Sequence, residues 1–114
     1  MNNEPHGIWH KYLCAPLCIN VGILYYNQAI ELQEKAANEF DDKKYEALVE
    51  QFNASLKSAL DPFEKAYNLS KDNELRVNVA EYLKNIYYRF SSDSDEFMAG
   101  YKKYDEVVKT GQAK

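Results

Sequence analysis

Apolar residues recur at three- and four-residue spacing through almost all of the chain after residue 17. Leu56, Ala59, Phe63 and Ala66 share one helix face, and Tyr45, Leu48 and Phe52 extend that stripe towards the amino terminus. Ile23, Tyr26, Ile30, Ala37 and Phe40 make the corresponding stripe of a preceding helix. Leu75, Val79, Leu83, Ile86 and Phe90 form a third, and Phe97, Tyr101, Tyr104 and Val108 a fourth. Between the stripes lie stop signals. Asp41-Asp42 is an N-cap pair, Lys71-Asp72-Asn73 has turn chemistry, Ser91 to Asp95 offers Ser94 as a cap, and Thr110-Gly111 ends the last stripe. The pattern predicts an all-α domain over 17–110, with helices at about 17–40, 43–70, 73–90 and 94–109 in antiparallel pairs. Pro62 lies inside the second helix, where it removes an N–H and crowds the preceding turn. The stripe crosses it in phase, which predicts a kink near Ser58 rather than a break capped by Asp61.

Residues 1–16 have no such period. Pro5, Gly7 and Pro16 punctuate them, predicting an irregular arm foreign to the helical region, with Trp9, Tyr12 and Leu13 docking on the first helix. The run from Tyr12 to Tyr26 is too interrupted, by Pro16 and Asn20, for a secretory signal or a membrane span. Within it, His6, His10, Cys14 and Cys18 are four residues apart and competent zinc ligands by type. Successive steps of four drift by about 40° around a helix, too far to close one tetrahedron, so they are weak candidates and no metal is expected. Residues 111–114 read as a frayed tail.

Composition narrows the class. A length of 114 residues suggests one domain, and only 3 prolines and 4 glycines leave room for few, long elements. A net charge of -4, with lysines interleaved among acids, argues against a nucleic-acid surface. Two cysteines make no disulfide framework. The chain has no Gly-rich phosphate loop, and no Ser/His/Asp or Cys/His set can be built on the helical region, so neither an enzyme nor a cofactor is expected. The compartment stays open: cytoplasmic by default, extracytoplasmic if an upstream signal has been lost.

The chain resembles the tetratricopeptide repeat (TPR) family over Cys18 to about Val108. Val21, Gly22 and Tyr25 match the Leu-Gly-x-x-Tyr of a first repeat helix, and Ala59 and Phe63 match the Ala-x-x-x-Phe of a second. Leu83, Tyr87 and Tyr88 echo another first helix. Cys18 stands for the family's Trp, Lys71 for its Pro and Lys84 for its second Gly. Gly inside a helix costs about 1 kcal/mol relative to Ala, which points to a bulky neighbour, and Phe63 is the candidate. Gly22 and Asn73 are about 51 residues apart, where a repeat of about 34 would separate them by about 26. The extra residues are helix formers broken centrally by Asp41-Asp42, predicting that both helices of the first hairpin are elongated.

The resemblance implies a right-handed α–α superhelix fragment and a non-enzymatic protein- or peptide-binding module. It also implies a peptide groove in which Ile23, Tyr26 and Asn27 face Asn85, Tyr88 and Arg89. The chain is expected to be the C-terminal part of a longer TPR protein, because about three repeats are needed for independent stability and two are legible. The alternative is a structural capping or dimerisation bundle without a peptide ligand, and a homodimer is one expected state.

Overall fold

In the computed structural model, residues 14–113 are described. Their regular structure is entirely helical: α1 (Ala15–Ala37), α2 (Asp42–Leu69), α3 (Asn73–Arg89) and α4 (Asp95–Thr110). α1 packs along α2, and α3 along α4, as two antiparallel hairpins; α2 and α3 join them. The expected docking of Trp9, Tyr12 and Leu13 lies outside the described residues.

Each boundary has a local cause. α1 begins two residues earlier than expected, with Pro16 in its first turn, where no intrahelical N–H is required and its fixed φ suits the helix. The helix ends at Ala37 rather than residue 40. There Asn38 folds its side-chain amide onto the Glu34 carbonyl at 3.1 Å, and Phe40 falls in the turn, 95% exposed. Asp41 caps α2 by accepting from the Lys44 N–H at 3.0 Å, and Ser94 caps α4 by accepting from the Phe97 N–H at 3.2 Å. Gly111, at φ +70°, closes α4 in the left-handed conformation. The residues after it, expected to fray, are held as far as Ala113. Asn73 donates to the Gly111 carbonyl at 3.0 Å and accepts from the Ala113 N–H at 2.8 Å.

α2 runs unbroken through Pro62, which is buried. Asp61 caps nothing there; its carboxylate meets Lys65 one turn on, at 3.1 Å. At a rise of about 1.5 Å per residue, the 23 and 28 residues of the first hairpin outreach the 17 and 16 of the second. Burial along α2 falls towards the projecting tip. Leu56, Ala59, Phe63 and Ala66 are inaccessible or nearly so, Leu48 is half-buried and Tyr45 exposed.

The first helix differs most from expectation. Its buried seam is Ala15, Cys18, Gly22, Ala29 and Ala36, all small, while Ile30 and Ala37 are exposed and Ile23 and Tyr26 only partly covered. The large residues of α2 fill the hairpin, so α1 must present small ones for the two backbones to approach. Gly22 shows the limit: a Cβ there would lie 2.7 Å from the Phe63 ring. The second hairpin repeats the device with the roles exchanged, since a Cβ on Gly100 of α4 would lie 2.7 Å from the Tyr87 ring of α3. In α4 the buried positions are Tyr104 and Val107, with Val108 half-buried.

Candidate functional site

Phe63 anchors the site from below. Its fully buried ring lies against Gly22 on one side and stacks on Tyr82 of α3 on the other, with centroids 4.7 Å apart. Tyr82 in turn meets the edge of Tyr26 at 5.1 Å. This aromatic file of three ties α1, α2 and α3 together. Beside it, α1 and α3 diverge over a groove of about 710 Å³.

The floor of the groove is apolar: Ile19 and Ile23 from α1, and Leu75, Val79 and Tyr82 from α3. Its rim is polar, with Asn78, Asn85 and the acids Asp72, Glu74 and Glu81, and no lysine or arginine among the residues that line it. The α3 members follow helical spacing, so one face of that helix supplies most of the wall. Apolar floor, convergent amides and a mouth open to solvent make a surface that can take up side chains of a partner segment.

Of the six groove residues read from the sequence, Ile23 and Asn85 line this cavity and Tyr26 borders it through Tyr82. Asn27 is exposed on α1 and does not line it. Tyr88 instead leans on Tyr101 of α4 at 5.2 Å and is 64% exposed. Arg89 lies over the Phe52 ring at 5.3 Å and lines a separate cavity of about 330 Å³ near the hairpin tip. The sequence reading missed Leu75, Asn78, Glu81 and Tyr82. The signal was present, because stepping back from Asn85 by threes and fours reaches Tyr82, Asn78 and Leu75.

A second polar feature lies inside the protein. The half-buried Glu64 carboxylate of α2 accepts from the Tyr87 hydroxyl at 2.6 Å and from the Tyr104 hydroxyl at 2.5 Å. The two phenol rings stack at 5.9 Å, and Tyr67 meets Tyr104 edge-on at 5.1 Å. Burial, then the hydrogen bond to Glu64, then its negative charge raise both phenol pKa values well above their ordinary range. With both hydroxyls protonated and donating, this is a structural clasp across α2, α3 and α4.

Of the four candidate metal ligands, Cys14 and Cys18 are among the described residues. His6 and His10 lie outside the described residues. Cys14 is exposed while Cys18 is fully buried in the core, where desolvation raises its thiol pKa and the side chain acts as a small hydrophobe. Among the described residues no three His, Cys, Asp or Glu side chains are placed to hold a metal ion, and no helix is long and apolar enough to cross a membrane.

Fold and site thus define a class: an all-helical double hairpin with an amphipathic groove between the first helices of its two pairs. Compared with protein-family models, with curated proteins and with solved structures, the chain finds no match.

Proposed function

We propose that this chain is a TPR-like, non-enzymatic module that binds a protein or peptide segment in the groove between α1 and α3. The observation that carries this reading is the groove itself. It lies between the helices that come first in each hairpin, the side that the TPR resemblance assigns to ligand, and it combines an apolar floor with Asn78 and Asn85 at its rim. Side-chain amides there can pair with the backbone of an extended or helical segment.

The test is selection of a random 12-residue peptide display library on the full chain, followed by affinity measurement with Asn78→Trp and Asn85→Trp. Both asparagines are exposed, so the added indoles fill the groove without entering the core. Selected peptides should lose at least about tenfold in affinity for both variants, equivalent to about 1.4 kcal/mol. Selected peptides that bind both variants as well as the wild type would overturn the proposal.

One observation favours the alternative of a capping or dimerising bundle. Leu17 and Leu24, two turns apart on the outer side of α1, are 47% and 58% exposed, an apolar edge that a further helix pair or a second copy would cover.

A further inference from the structure

The groove's rim carries a sign as well as a shape. Asp72, the N-cap of α3, and Glu74 and Glu81 on the helix are its charged members, all exposed. The facing wall gives them no counter-charge, because α1 carries no charged residue from Ala15 to Ile30. Of the three basic residues on α3, Arg76 donates to the Tyr67 carbonyl at 3.0 Å and lies 4.3 Å over its ring, Arg89 lies over Phe52, and the half-buried Lys84 is not among the residues that line the groove. Among the described residues that line the groove, every charged side chain is therefore a carboxylate.

Resting on the reading of this groove as a peptide site, we propose that its ligand is a basic amphipathic segment, with apolar side chains on the floor and lysine or arginine at the rim. An acidic segment would bring like charges together at the mouth without gaining anything on the floor, and complementary rim charge governs encounter and partner choice. A carboxylate rim around an apolar floor selects a protein segment and repels a polyanion, so nucleic acids and anionic lipid surfaces are poor occupants.

The experiment is a composition count on the library-selected peptides whose binding is abolished by Asn78→Trp. These groove-dependent peptides should hold several-fold more Lys and Arg than Asp and Glu. Their affinity should fall about tenfold in Glu81→Lys combined with Glu74→Gln, and fall again between about 50 and 300 mM salt, as screening shortens the reach of the rim charges. Circular dichroism of the double variant checks that the fold is kept. Groove-dependent peptides without a basic bias, or basic ones indifferent to the double substitution, would overturn this inference and leave the groove standing. The absence of any groove-dependent peptide would overturn both.

Discussion

At the scale of single residues, two contacts carry most of the specification. Gly22 lies against the Phe63 ring, which also stacks on Tyr82. Gly22→Ala improves helix propensity by about 1 kcal/mol but forces a methyl group into a contact that costs about 1–3 kcal/mol in a packed core. The expected result is a lower denaturation midpoint; a rise would show that the file of rings can move. The clasp on Glu64 makes a prediction in pH. Tyr87 and Tyr104 have folded pKa values raised above the unfolded value of about 10. Their stabilisation is therefore complete below about pH 10 and is lost as pH rises beyond it. Unfolding free energies measured from pH 8 to 11 should fall more steeply for the wild type than for Tyr87→Phe/Tyr104→Phe, even though the variant starts lower. Loss of each hydrogen bond to the carboxylate costs it about 1.5–3 kcal/mol. Equal slopes would mean that the phenols are not held by Glu64.

The element that stands out is the first hairpin, whose tip has no second layer over it among the described residues. Phe40 and Tyr45 are exposed there, and order in the turn rests on local bonds. Asp41 accepts from Lys44, Glu39 accepts from the Asp41 N–H at 3.0 Å, and Asn38 holds Glu34. Hydrogen exchange should find helical protection continuous from the core towards the tip along both arms but weakening outward, as burial does. Asp41→Ala should remove about 1 kcal/mol of capping energy and raise exchange in the first turns of α2 while leaving α3 and α4 unchanged. If the whole molecule responded equally, the tip would be part of the global folding unit rather than a local extension.

For the whole molecule the question is what meets the outer edge of α1. If a second copy covers it, sedimentation at micromolar concentration should show a dimer that Leu24→Glu converts to a monomer, with a melting point that no longer depends on concentration. A wild-type monomer whose melting point is independent of dilution would remove the dimer from consideration. The groove itself exists only at this scale, because α1 and α3 are separated in sequence by the whole of α2 and come together where both meet Phe63, through Gly22 and Tyr82, and where Tyr26 meets Tyr82.

Four helices, their caps at Asp41 and Ser94, the stop at Gly111 and the elongation of the first pair were legible in the chain. The helices, caps and stop depend on residues within a few positions of one another, where local hydrogen bonding and helical periodicity decide; the elongation was read from the length between Gly22 and Asn73 set against the repeat the chain resembles. The pairing of Gly22 with Phe63 was legible too, since a glycine inside a helix needs a neighbour to justify it. Which face of α1 turns inward was not. Its large residues at 23, 26 and 30 suggested one stripe, yet the seam is made of small ones at 15, 18, 22, 29 and 36. When the partner helix already brings Phe63 and Leu56, close approach rather than side-chain size decides burial. The same limit explains the groove. Of the residues that the family resemblance implied for it, Ile23 and Asn85 line this cavity, but the turn of Tyr88 towards Tyr101, and of Arg89 towards Phe52, depends on where α4 and the hairpin tip lie against α3. Periodicity records which residues share a face; only tertiary packing decides what that face meets.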